Sequence, residues 1–153
     1  MASASALRRT LGCLLGALLA AVLWSGAASA QIYDMSKLRR GAVLEVVYLG
    51  TPDCPYCQHW EARARGELLA SPLAQSFRFH EVIGRTLREP ITAAHYPEDL
   101  QWLAKLMGPS RGVPRFLLLG DRTLLASVYG TNAYETQFLP VLREAVARRN
   151  AGS

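Results

Sequence analysis

Two cysteines separated by two residues, Cys54-Pro55-Tyr56-Cys57, follow closely on an almost wholly apolar run, Ala42 to Leu49. This feature constrains the chain more than any other. A strand must end, a tight turn must follow, and two sulfurs must stay close enough to bond. A disulfide closing so short a loop removes little freedom from the unfolded chain, so it is a poor structural staple. It can instead cycle between dithiol and disulfide without rearranging the fold around it. The spacing points to redox chemistry.

The other cysteine, Cys13, sits in a different context. Arg8 and Arg9 precede an apolar run from Leu11 to Trp24, and Ala28-Ser29-Ala30 supplies small residues before Gln31. That is the charged, apolar and small-residue order of a secretory signal peptide. The run is shorter than the roughly 20 residues of a membrane span, so residues 1–30 are expected to leave, taking Cys13 with them. The alternative is an uncleaved membrane anchor. Export of a chain with a two-cysteine motif implies an oxidising space such as a periplasm, with no membrane span remaining after cleavage.

Residues 31–153 suit one domain with one core. They hold 15 Lys and Arg against 12 Asp and Glu, a mild excess. The basic residues are scattered and form no stripe with interleaved aromatics, which argues against nucleic acid as a partner.

The pattern predicts a short leading helix over 34–40, then a strand over 42–49 that is apolar on both faces. Gly50-Thr51-Pro52-Asp53 breaks it. From Pro55 to Leu69 the chain reads as a helix, with Cys57, Trp60, Ala64 and Leu68 on one inward stripe. A second strand is expected over 77–83. Pro97 suits the first turn of a helix whose stripe is Leu100, Leu103 and Leu106. Two strands, 115–119 and 124–129, flank a hairpin turn at Gly120-Asp121-Arg122-Thr123. A closing helix over 134–149 should kink or start late at Pro140. The order β-α-β-α-β-β-α makes an α/β domain, a central mixed sheet flanked by helices.

Strand, turn and helix place Cys54 at a helix N-terminus. Unpaired N–H groups and the positive end of the helix dipole favour a thiolate there. Cys57, one turn in on the packed face, is disfavoured as a thiolate by desolvation. Cys54 is therefore expected to be the more exposed nucleophile and Cys57 the resolving thiol, the two cycling as one disulfide.

The chain resembles the thioredoxin superfamily over most of residues 31–153. The apolar strand runs into Cys54-Pro55-Tyr56-Cys57, Gly112-Val113-Pro114 precedes the strand at Phe116, a hairpin follows, and Gly130 ends its second strand. The resemblance implies a thioredoxin-like fold and a thiol–disulfide oxidoreductase acting on protein thiols and disulfides with a redox partner protein. It also implies a cis peptide before Pro114, with Val113 and Pro114 facing the cysteines and binding an extended substrate. Cys-Pro-Tyr-Cys is similar to the dithiol of glutaredoxins and of some periplasmic disulfide-bond proteins. Three residues depart from thioredoxins proper: Asp53 replaces Trp, Tyr48 replaces a buried Asp, and Arg115 replaces Thr. Glu61, one turn beyond Cys57, is then a candidate proton shuttle for the resolving thiol; its competing reading is a solvated surface carboxylate. Glu45, on the other side of its strand from Tyr48, is a weaker candidate, and His59 should turn outward.

Rival sites fare less well. Gln58 follows Cys57, so the Cys-x-x-Cys-His signature of c-type haem is missing. His59, His80 and His95 do not form the pair that a zinc site requires. A periplasmic Cu(I) carrier or metallation factor could use the two thiolates alone, and stands as the alternative. The leading reading requires no metal and no cofactor, and a monomer is expected.

Overall fold

A computed structural model describes residues 33–151. The signal expected at residues 1–30, and Cys13 with it, lies outside the described residues. Four strands form one sheet in the order β2-β1-β3-β4: β1 (Leu44–Gly50), β2 (Arg78–Ile83), β3 (Arg115–Gly120) and β4 (Thr123–Tyr129). β1 pairs in parallel with β2 and antiparallel with β3, and β3 pairs antiparallel with β4. The parallel pair needs a crossover, and a helical run over 55–70 supplies it. With helices on its faces, this mixed sheet is the thioredoxin-like arrangement that the resemblance implies.

Alternation along β1 divides the core in two. Leu44, Val46 and Tyr48 face one side, with Phe116, Leu118, Ala126 and Val128. The 55–70 helical run and the closing helix cover that side through Cys57, Trp60 and Leu68, and through Phe138, Leu142 and Ala145. Val47 and Leu49 face the other side, with Leu117 and Leu119, under Ile91, Tyr96, Leu100 and Leu103.

The helices depart from a regular reading in three places. The 55–70 run is α-helical over α1 (Pro55–Trp60), π-helical over Glu61–Arg65, and α-helical again over α2 (Gly66–Ala70). The leading helix shrinks to a 3-10 turn, Met35–Lys37, capped by the Asp34 carboxylate. The helix expected from Pro97 opens as a 3-10 turn, Glu98–Leu100, before α3 (Gln101–Met107), with Pro97 as its cap. This change of pitch rotates Leu106 out of the core to 61 % exposure, and Ala104 is buried in its place. The closing helix starts early rather than late: the chain is helical from Thr131, passes through a π-helical stretch, Tyr134–Phe138, just before Pro140, and continues as α4 (Leu139–Asn150), the wider π turn falling where proline has no N–H to donate. In the β3–β4 turn both Asp121 and Arg122 adopt positive φ, as a tight hairpin turn of this hand demands.

Candidate active site

The C-terminal end of β1 delivers the chain into the cysteine turn. The Cys54 N–H donates to the Thr51 carbonyl at 3.2 Å, closing the turn. Cys54 is the extended N-cap of α1, with Pro55 in the first helical turn. Proline has no N–H to leave unpaired and its φ is already helical, which explains its place here. The Cys54 sulfur accepts the Cys57 N–H at 3.1 Å. Cys54 and Cys57 are joined as a disulfide, their Cα atoms 5.1 Å apart.

Burial corrects one expectation. Cys54 is 1 % exposed and Cys57 fully buried, so exposure does not set the two apart. The cause is local: to accept the Cys57 N–H and bond the Cys57 sulfur, the Cys54 side chain turns inward. What separates the two is position. Cys54 caps the helix and Cys57 lies within it, on the face shared with Trp60. His59 is exposed, as its place on the helix predicts.

Tyr48 and Glu61 are brought together. The Tyr48 hydroxyl donates to Glu61 Oε1 at 2.7 Å. Burial, and then the carboxylate it serves, push the Tyr48 phenol well above its ordinary range, so it remains a donor. The ring reaches Glu61 by lying over Gly50: a Cβ there would meet the ring Cζ at 2.6 Å. Glu61 is exposed and lines an open groove with Arg65 and Glu81, which pair at 2.8 Å, and with Pro52 and Ile83. Glu45 points elsewhere and pairs with His80 Nε2 at 2.8 Å.

The Val113–Pro114 peptide is cis. Pro114 is buried, and its carbonyl accepts the Gly130 N–H at 2.8 Å. Val113 is half-buried and packs against the core cluster that holds both cysteines.

Arg115 supports this loop. Its guanidinium donates from Nε to Ser127 Oγ at 3.0 Å and from Nη1 to Ser110 Oγ at 3.4 Å, and lies 4.4 Å above the Tyr129 ring. The same ring abuts Gly112, where a Cβ would come within 2.6 Å of it. Burial pulls the guanidinium below its usual range, and among the described residues it pairs with no carboxylate. Arg115 stands out in the sequence as a departure but not as a support; its directly opposite partner across the hairpin, Tyr129, is the available signal.

A further contact escaped the sequence altogether. Both Asp53 carboxylate oxygens accept the Leu87 N–H, at 2.9 and 3.1 Å, tying the cysteine turn to the segment after β2. Desolvation is the largest single influence on Asp53 and opposes its ionisation, but the Leu87 N–H together with Thr51 and Thr86 outweighs it and holds the carboxyl below its ordinary value. Its partner lies 34 residues away, beyond any local pattern.

No family model matches the chain, and no curated protein matches it. Solved structures similar to it include the reduced periplasmic thioredoxin SoxS from Paracoccus pantotrophus, 18 % identical over 69 % of this chain and 97 % of that one, with a TM-score of 0.48. The short form of thioredoxin f from spinach chloroplast is 19 % identical over 69 % of this chain and 78 % of that one, with a TM-score of 0.46. A DsbH oxidoreductase is 15 % identical over 67 % and 74 %, with a TM-score of 0.41. Among the described residues no helix is long and apolar enough to cross a membrane. The strand order and the cysteine turn together define a thioredoxin-like fold with a Cys-x-x-Cys disulfide at the head of its first helix.

Proposed function

We propose that this chain is an exported thiol–disulfide oxidoreductase that exchanges disulfides with protein substrates through Cys54 and Cys57. The observation carrying the reading is the Cys54–Cys57 bond at the head of the helical run that leaves β1. In the reducing direction the Cys54 thiolate attacks a substrate sulfur and expels the other as a thiolate. The Cys57 thiolate then attacks Cys54, releasing the second substrate sulfur and leaving the Cys54–Cys57 disulfide. Two electrons pass to the substrate, and the reverse sequence oxidises a substrate dithiol. Potentials of such pairs span ~150 mV. The direction of electron flow is open and is set by the potential of this pair; Pro55-Tyr56 and an exported setting lean it only weakly towards oxidation or isomerisation.

Three further roles belong to this reading. Val113 and Pro114 offer backbone groups to an extended substrate. Glu61 takes the proton that Cys57 must lose, supported by its hydrogen bond from Tyr48 and its opening to an exposed groove. Residues 1–30 direct export to the periplasm, and residues 31–153 act there as a monomeric domain alongside a redox partner.

Cys57→Ser is the decisive variant. Cys54 still attacks, but no neighbouring thiolate displaces the product, so a reducible mixed disulfide accumulates and is visible on non-reducing gels. Cys54→Ser abolishes both adduct and turnover. Adducts trapped through Cys57 in Cys54→Ser would reverse the two roles. Tight stoichiometric Cu(I) binding without any exchange would replace the reading with a carrier.

A further inference from the structure

Three loops meet at the cysteine end of the sheet and are fastened into one rim. Asp53 holds the Leu87 N–H, joining the cysteine turn to the 84–90 loop. Arg111 Nη1 donates to the Arg88 carbonyl at 3.1 Å, joining that loop to the one carrying Val113 and Pro114. The rim therefore keeps a fixed spacing between side chains that are far apart in sequence.

Those side chains share a character. Tyr56 is 67 % exposed and Leu87 41 %, two of the large apolar side chains left to water among the described residues. Arg88 and Arg111 are exposed, and neither has a carboxylate partner among the described residues. The acids on the same rim are already engaged: Glu89 with Arg85 at 3.0 Å, Asp53 with the Leu87 N–H. Two guanidiniums without a carboxylate partner and two exposed apolar side chains thus sit on loops tied to the cysteine turn.

We infer that this rim selects an extended segment of a partner protein in which an apolar residue and one or more carboxylates flank the reactive cysteine. The inference rests on the oxidoreductase reading and names its substrate class. The apolar residue covers Tyr56 and Leu87, and the carboxylates meet Arg88 and Arg111. Exposed charges of this kind act mainly on the rate of encounter, and salt weakens them.

The test uses two peptides with the same internal disulfide and one Phe, differing only in Asp or Lys beside the cysteines. With the reduced protein in about 20 mM salt, exchange is expected to be about tenfold faster with the acidic peptide. The ratio should shrink towards one in about 0.5 M salt. Arg88→Glu with Arg111→Glu should invert the preference, whereas Arg40→Glu, which precedes β1 at the other end of that strand, should leave it as it is. Equal rates for the two peptides in the unaltered protein at low salt would overturn the inference whether or not the double variant folds. So would a preference that the folded double variant retains. Serine versions of the peptides separate the two readings through binding alone. If the unaltered protein exchanges with neither peptide but binds the acidic serine peptide more tightly, the rim stands and the redox reading falls. Equal binding with no exchange removes both.

Discussion

The two faces of the sheet are built from different materials. On the cysteine face, Trp60 is ringed by aromatics: Tyr48 stacked at 4.5 Å, Phe116 at 4.9 Å and Tyr134 edge-on at 5.4 Å. Burial pushes the Tyr134 phenol up to about 12, as expected of a hydroxyl drawn into that layer. The opposite face is aliphatic at its centre, with Val47, Leu49, Leu117 and Leu119, and polar at its end, where Arg115, Ser110 and Ser127 meet below a Tyr96 hydroxyl with no hydrogen-bond partner. One face gives the sulfurs an aromatic floor. The other holds the loop of Val113 and Pro114 through polar contacts. The site lies where an aromatic layer and a partly polar one meet.

The difference can be broken most severely at its centre. Trp60→Ala should cost about 3–5 kcal/mol in urea unfolding, since the cavity opens among rings that cannot easily collapse into it. Leu103→Ala on the aliphatic face should cost less, about 2–3 kcal/mol, because the short α3 can settle inward. Equal losses would remove the contrast in packing.

The polar end sharpens the comparison. Arg115→Met keeps much of the side-chain volume but leaves Ser110 and Ser127 unpartnered, at a cost of about 1–3 kcal/mol. Amide exchange should accelerate chiefly in the 110–114 loop, while the cysteine turn remains protected. Uniform acceleration would mean that Arg115 is a global contact. Tyr48→Phe, on the aromatic face, should cost only about 1 kcal/mol, because Glu61 can replace the lost hydroxyl with water. Its specific mark is a changed pH profile of exchange with unchanged unfolding cooperativity.

Asp53→Asn should have the smallest effect, read as a slope. The folded carboxyl titrates below its ordinary value, so its stabilisation is present above the unfolded pKa and is lost as pH falls through the folded one. The unaltered protein should therefore lose more stability below about pH 4 than Asp53→Asn does. Parallel acid limbs would mean that the Leu87 contact contributes nothing.

Elements with strong local patterns were legible in the sequence. β1 announced itself by β-branched residues, the helical run after it by the Cys57–Trp60–Leu68 stripe, and the hairpin by its turn chemistry. The helix after Pro97 was misread at Leu106 because a 3-10 opening changes the pitch, and nothing in the composition marks that change. Of the candidate site, the cysteines and the loop before β3 were legible. The inward turn of Cys54 was not, since it depends on which way a capping side chain swings. The Tyr48–Glu61 pair was half-legible: both residues drew notice, but the hydrogen bond needs the strand and helix to be superposed. Asp53 with Leu87, and Arg111 with Arg88, join loops that no periodicity relates.

Gly50 has a consequence beyond its own strand. Because the Tyr48 ring occupies the space above it, the bareness of one position is what permits the bulk of another two residues earlier. The two positions constrain one another sterically. A lineage that exchanged the tyrosine for a short acid would release position 50 to drift, whereas a lineage that first acquired a side chain at 50 would have to surrender the tyrosine and strand the glutamate on the neighbouring helix. The order in which such changes can be made is written into the pleat of β1.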